Sequence, residues 1–412
     1  MRKVLLVLLI LALVITLFPK TKITFWTMSL KPRFTDFVEG LVNDYEKLHP
    51  DVDVVWEDVP WDVLLQKLMA AIAAGDPPDV VNLNMSWTLD LAAQGVLLPV
   101  DELLPKEVLD QYFESMLDGI STGGKIYGLP WYSAADVNFY NTEIFKKAGL
   151  DPKYPPRTWD EVLAYSVIIK EKTGKYGVLP TILQDPQVMF EWDGLPILSP
   201  DKKKAAFDTI EHAQVLNKWA TMYRLGYLPK ELIEGGEWTK ATELYQSGEL
   251  AMLITGPQFV DRVRDNAPDV YKKSDVGPVP LGRSQLYGGW YSTLNIVKGS
   301  KNPEVAADFA AFVSNEANEL KFCQIATIFP TRKKALEDPF FSKDDGTLET
   351  KTRLTAVNAL RSVTVFKYDV PNRQELFDKL KEAIISVFLG EKDAFEALKE
   401  CAQYWNEVLA SQ

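Results

Sequence analysis

Residues 37–83 read FVEGLVNDYEKLHPDVDVVWEDVPWDVLLQKLMAAIAAGDPPDVVNL. Phe34, Val38, Leu41, Val42, Tyr45 and Leu48 recur at helical spacing and share one face. Pro50 closes that helix, because the residue before a proline is pushed out of the helical region. Residues 51–59 alternate as a strand, residues 61–74 return to the helical period, and Gly75 stops them. Residues 80–83 form a short apolar strand, and residues 23–27 (ITFWT) supply another upstream. The order strand, helix, strand, helix, strand predicts an α/β fold built on a parallel sheet.

The alternation runs on. GGKIYGLP at 123–130 reads as a turn and a strand. Thr158 and Glu161 make a capping box for a helix to about residue 172. Residues 250–255 are a strand stopped by Gly256-Pro257, and Asn302-Pro303 starts a helix with proline in its first turn. From Pro371 the chain is nearly all helical, with Leu376, Leu380, Ile384, Val387 and Phe388 on one stripe. Neither internal repeats nor a low-complexity linker divides the chain.

Composition narrows the function classes. A chain of 412 residues fits roughly two or three domains of about 150 residues each. Its net charge of −12 argues against nucleic-acid binding and gives anionic membranes little to attract. Two histidines (His49, His212) and two cysteines (Cys323, Cys401), all far apart, form no zinc-ligand pattern and no nucleophile motif. Eleven tryptophans stand out.

Residues 1–20 (MRKVLLVLLILALVITLFPK) carry a basic start and an apolar run from Val4 to Phe18. That run is short for a membrane span, which takes about 20 residues, and suits a signal peptide. No small-x-small cleavage site stands out, so a signal peptide and a retained N-terminal anchor both stay open. Either way the chain is exported, to the periplasm or the outer face of the cytoplasmic membrane. Export permits a disulfide between Cys323 and Cys401. Both also lie in apolar-periodic helical stretches that suit buried free thiols.

The quoted segment resembles the N-terminal lobe of extracellular solute-binding proteins of ABC importers, in the maltose-binding-like group. The shared features are a helix ending in His49-Pro50, a strand, and a helix running into Ala73-Ala74-Gly75-Asp76-Pro77-Pro78-Asp79-Val80. Further stretches fit in order: GKIYGLPW (124–131) with NFYNTEIFKKAGL (138–150), PRTWDEV (156–162), SGELAMLITGPQFV (247–260) and STLNIVKGSKNPEVAADFAAFV (292–313). The resemblance implies the two-lobe periplasmic binding protein type II fold, with three interlobe crossings near 131–136, 255–258 and 298–302. The lobes are then expected at 21–131 with 258–299, and at 132–257 with 300–412. It implies a solute held between lobes that hinge closed, then delivered to ABC permease subunits by a monomer that needs no cofactor or metal.

Sugar binding needs rings to cover the C–H faces of the pyranose and fixed polar groups for its hydroxyls. Asn84, Ser86 and Trp87 follow the strand at 80–83, and α/β ligands gather at the carboxyl ends of strands. Trp131, Tyr132 and Asp136 fall at the first expected crossing. Trp290 follows Gly288-Gly289, and Gly289 permits close backbone approach. Gln258 follows Gly256-Pro257, where relatives carry an aromatic, so a hydroxyl hydrogen bond replaces stacking there. Trp192, Trp238 and Trp61 open or follow turns, and Ser29 lies in the loop after the first strand. Trp26, Trp56, Trp159, Trp219 and Trp405 sit in strand or helix patterns and read as packing. Arg332, in FPTR, reads as a structural ion pair. A glycerol phosphate is the alternative ligand, but Lys31 and Arg332 are the only basic residues near these motifs. A secreted glycosidase would need two carboxylates about 5–9.5 Å apart, and no pair is marked.

Overall fold

The computed structural model describes residues 20–360, 363, 364, 366, 368, 370 and 372–410. The leader read at 1–20 therefore lies outside the described residues but for Lys20. Among the described residues no helix is long and apolar enough to cross a membrane.

The chain forms two compact units. Unit 1 takes the described residues through Tyr132, with Tyr291–Phe322 and Pro330–Ala335. Unit 2 takes Ser133–Trp290, Cys323–Phe329 and the described part of Leu336–Gln412. This division departs from the lobes expected from the sequence. Residues 258–290 group with unit 2 and residues 300–322 with unit 1, so the stretches 255–258 and 298–302 each lie inside one unit.

Unit 1 opens with β1 (Thr21–Met28), α1 (Thr35–Leu48), β2 (Val52–Val59), α2 (Trp61–Ala74), β3 (Val80–Asn84) and α3 (Met85–Ala93). β1 pairs in parallel with both β2 and β3. The strand Trp290–Val297 then joins β3 antiparallel, with Leu294 opposite Asn82. The sheet is thus mixed and not all parallel, because a late segment returns to complete an early one. Gly75 closes α2 in the left-handed conformation, φ 74°, which a residue with a Cβ rarely adopts. The core beneath gathers Met28, Val59, Leu64, Leu68, Val81, Leu83, Leu91 and Val297.

Unit 2 carries a three-stranded antiparallel sheet, in which Val137–Asn141 lies between Ser274–Pro278 and Met252–Thr255. The helix Trp159–Thr173 begins with the expected capping box, Thr158 with Glu161. The C-terminal helices Arg373–Phe388 and Ala394–Ala410 pack on Ile210–Arg224, where Tyr223 stacks on Phe388 at 5.6 Å. Trp405 is fully buried against Phe207 and Phe377. Cys323 and Cys401 are both buried and are not joined in a disulfide. Burial pushes the Cys401 thiol up to about 12, so it is inert at neutral pH.

Gly177 marks the tightest packing in unit 2. A Cβ there would lie 2.4 Å from the Cα of Ser166 and 2.2 Å from its Oγ. Ser166 is fixed in its helix by a 2.8 Å hydrogen bond to Val162, and the Gly177 carbonyl accepts from the Met252 N–H at 2.8 Å. Neither backbone can retreat. Gly177→Ala is expected to destabilise the protein by about 1–3 kcal/mol, the usual range for overpacking, read as a lower urea midpoint.

Candidate solute-binding residues

The carboxyl ends of β1 and β3 present the unit 1 candidates. Ser29, just past β1, adopts φ 52°. Its Oγ accepts the Trp61 N–H at 3.0 Å, which anchors the start of α2. Asp58 fixes the same loop by accepting from Thr27 Oγ1 at 2.7 Å and from the N–H groups of Leu30 and Lys31 at 2.9 Å each. Trp61 is 40% exposed and its ring centroid lies 5.0 Å from that of Trp87. Trp87 is half-buried and packs on the unit 1 core, so the pair is an anchored aromatic surface. Asn84 is already engaged: its Oδ1 accepts the Trp87 N–H at 2.8 Å and caps α3. Ser86, beside it, is half-buried.

Trp131 is not a surface platform. It is fully buried, stacked on Phe322 at 5.3 Å and packed against Phe25 and Tyr132. Burial of a large ring in an aromatic cluster is core packing. Tyr132 is 8% exposed, and burial raises its hydroxyl to about 12, which keeps it neutral. Arg332 is structural, though not as an ion pair. Its guanidinium lies over the Tyr112 ring at 4.4 Å and donates to Tyr112 Oη at 2.8 Å. It also donates to the Ser314 carbonyl and the Gln111 side chain. The carboxylate of Glu319 accepts instead from the backbone N–H groups of Thr331 and Arg332.

In unit 2, Trp238 is half-buried and held in place. Its Nε1 donates to Thr255 Oγ1 at 2.9 Å, and Arg262 lies over its ring at 5.2 Å. Gln258 is half-buried, and its Oε1 is a buried acceptor without a partner. Gly256 makes room for it, since a Cβ there would fall 2.3 Å from that oxygen. Trp192, like Trp131, is drawn into an aromatic cluster. It is 6% exposed and stacks on Trp159 at 4.0 Å, with Trp219 at 6.1 Å, so the rings complete a core cluster. Gly289 donates its N–H to the Thr364 carbonyl at 3.0 Å, and Trp290 beside it is half-buried.

Asp136 belongs to a polar group that the sequence reading mostly passed over. Burial raises its carboxyl to about 6, against a hydrogen bond from Tyr287 that lowers it. Burial raises Glu191 to about 8, while the hydrogen bond from Tyr368 at 2.6 Å and one from Gln187 pull the other way. Asp185, Gln187 and Glu237 complete the group. The Asp185 charge pushes up Glu191, Glu237 and Tyr287, so these groups are within electrostatic reach. Gln187 and Glu237 are 6% and 3% exposed, and each keeps an Oε1 without a partner. The signal for Gln187 and Glu191 was present in DPQVMFEWD: two polar residues one helical turn apart in a short apolar segment. Among the described residues no group of three or more His, Cys, Asp or Glu is placed to hold a metal ion.

The chain belongs to the bacterial extracellular solute-binding protein family, whose profile matches residues 31–319. Its site of action is therefore outside the cytoplasm. It is 28% identical to the arabinooligosaccharide-binding protein of Halalkalibacterium halodurans, over 79% of this chain and 74% of that one. It is 25% identical to the sn-glycerol-3-phosphate-binding periplasmic protein of Pectobacterium atrosepticum, over 94% and 91%. A solved periplasmic-binding protein of Synechococcus sp. MITs9220, assigned to oligosaccharides, matches at a TM-score of 0.86 and 29% identity, over 94% of this chain and 99% of that one. The fold is that of the two-lobe periplasmic binding proteins.

The raised acids set a pH dependence. A carboxyl whose folded pKa exceeds its unfolded value is favoured in its protonated form by folding. Its contribution falls as pH rises from the unfolded value, about 4.5, towards the folded one. For Glu191 that window ends near 8. Glu191→Gln keeps an acceptor for Tyr368 and removes the titration. Between pH 5 and 8 the wild type is expected to lose stability more steeply than the variant, by roughly 1 kcal/mol or more, in urea unfolding followed at each pH.

Proposed function

We propose that this chain is the solute-binding subunit of an ABC importer, and that it captures a sugar, most simply an oligosaccharide, for delivery to membrane permease subunits. It acts as a binder and not as an enzyme, and as a monomer. The observation that carries the sugar reading is the combination of anchored, partly exposed indoles with acceptors that have no partner. Trp61 with Trp87 on unit 1 and Trp238 on unit 2 offer aromatic faces. Gln258 and Gln187 offer carbonyl oxygens that lack a donor. Pyranose rings bring C–H faces for the first and hydroxyl donors for the second. The arabinooligosaccharide and oligosaccharide relatives support the same class of ligand.

Glycerol 3-phosphate is the second reading, favoured by the relatives that carry it in their names. The two separate in a thermal-shift screen of the exported chain against mono-, di- and oligosaccharides and glycerol 3-phosphate. A ligand at a hundred times its Kd stabilises by about 2.7 kcal/mol, a readable rise in Tm. The expected hit is a sugar, recovered intact. Trp61→Ala and Trp238→Ala are each expected to weaken that sugar at least tenfold by calorimetry while far-UV circular dichroism is unchanged. A hit with glycerol 3-phosphate alone would replace the sugar, and consumption of the sugar would replace the binder.

A further inference from the structure

The helix Thr142–Ala148 and the loop after it bound a pocket of about 620 Å³ that lies wholly within unit 2. Its lining carries four bases, Lys146, Lys153, Arg157 and Lys351, against two acids, Asp151 and Asp275. The chain as a whole runs the other way, at a net −12. Both acids are already engaged. Asp275 pairs with Lys351 and accepts from the Val276 N–H at 2.8 Å and from Tyr140 Oη at 3.2 Å. Asp151 Oδ1 accepts the Lys153 N–H at 3.0 Å. Glu143, on the same helix as Lys146, pairs with Lys273 at 3.1 Å. Among the described residues Lys146, Lys153 and Arg157 make no ion pair. With Asp275 and Lys351 cancelling, the lining holds two positive charges in excess.

The loop that presents Lys153 and Arg157 is fixed by the fold itself. The Pro152 carbonyl accepts from Tyr140 Oη at 2.7 Å, and the Tyr154 carbonyl accepts from Tyr165 Oη at 3.1 Å. Glu161 spends its carboxylate on the backbone, accepting the Arg157 N–H at 2.7 Å and the Thr158 N–H at 3.2 Å. Gly277 lets Pro155 close on the strand Ser274–Pro278, since a Cβ there would fall 2.7 Å from Pro155 Cγ. A backbone held this way spares a ligand much of the ordering cost. Bases gathered without acids repel one another, and an anion relieves that repulsion. A sugar hydroxyl brings no charge and a carboxylate brings one. A phosphomonoester brings nearly two at neutral pH, with three acceptor oxygens. Arg157 offers a planar fork for two of those oxygens, and the lysines add point charges.

We propose that this pocket is a second binding site, and that it takes a phosphomonoester on Lys146, Lys153 and Arg157. The site goes beyond the sugar reading, because none of its residues is among the candidates for the sugar. Tyr154, on the same loop, is 70% exposed. Bases beside an exposed tyrosine also suit the headgroup layer of a membrane, so the phosphate of a lipid is the other source to be separated.

The test is calorimetric titration of the exported chain with inorganic phosphate, against chloride at matched ionic strength. The expected result is saturable binding of phosphate and none of chloride. Lys153→Gln and Arg157→Gln are each expected to weaken phosphate at least tenfold and to leave sugar affinity unchanged. Lys203→Gln combined with Lys204→Gln removes exposed positive charge outside the pocket, and should change phosphate binding less than twofold. Absence of saturable phosphate binding overturns the site. An equal loss in the Lys203 and Lys204 variant overturns it too, since net charge would then be the cause. A loss confined to Trp61→Ala or Trp238→Ala overturns it by moving phosphate to the sugar candidates. Flotation with phosphatidylglycerol vesicles, but no binding of free phosphate, would replace the phosphomonoester by a membrane surface. The sugar reading is decided separately, by the saccharide screen.

Discussion

One carboxylate holds unit 1 together at three points. Asp79, at the entry to β3, accepts from the Thr24 N–H at 2.8 Å, from Thr24 Oγ1 at 2.9 Å and from Ser300 Oγ at 2.6 Å. Its own N–H returns to Thr24 Oγ1 and the Thr24 carbonyl, both at 3.0 Å. The side chain is 8% exposed, so these bonds replace water around an acid that would otherwise be costly to bury. They fix the stagger of β3 against β1 and join the turn after the strand Trp290–Val297 to both. Every candidate at the carboxyl ends of β1 and β3 depends on that stagger. A shift of one residue would turn each strand's side chains to the opposite face.

Unit 2 makes a different use of buried acids. Asp79 is satisfied by its neighbours, whereas Glu237 and Gln187 each keep an oxygen without a partner. Glu319 in unit 1 shows what a structural buried acid looks like. It accepts from two backbone N–H groups and a hydroxyl, which locks the turn at Thr331 and Arg332. The contrast separates an acid whose oxygens the fold satisfies from one that keeps an oxygen without a partner. It also explains why stability is expected to fall with rising pH: burial raises Asp136, Glu191 and Glu319 alike, so all three pull in one direction.

Much of the fold was legible along the chain. The expected helix at 61–74 is the observed Trp61–Ala74, and the capping box at Thr158 is present with both of its hydrogen bonds. Those features are local: period, proline, glycine and caps act within a few residues. The sheet was less legible, because Trp290–Val297 enters it antiparallel from more than two hundred residues away. The two compact units differ from the expected lobes for the same reason, as nothing local in 258–290 or 300–322 says which unit they group with. Candidate rings divide in the same way. Trp61, Trp87 and Trp238 keep partly exposed indoles, but Trp131 and Trp192 follow similar turn signals and end in aromatic clusters. An indole at a strand end can face solvent or a neighbouring ring, and local sequence is the same for both.

The sequence by itself determined the elements, the family and the supply of aromatic and acidic side chains, since these follow from periodicity, turn chemistry and ordered motifs. Only the tertiary structure decided which of those side chains are spent on packing and which remain unsatisfied. That choice depends on partners brought together from distant segments: Phe25 and Phe322 against Trp131, Trp159 against Trp192, Tyr368 and Gln187 around Glu191. Burial and hydrogen-bond satisfaction are properties of those meetings, and no single stretch of chain contains them.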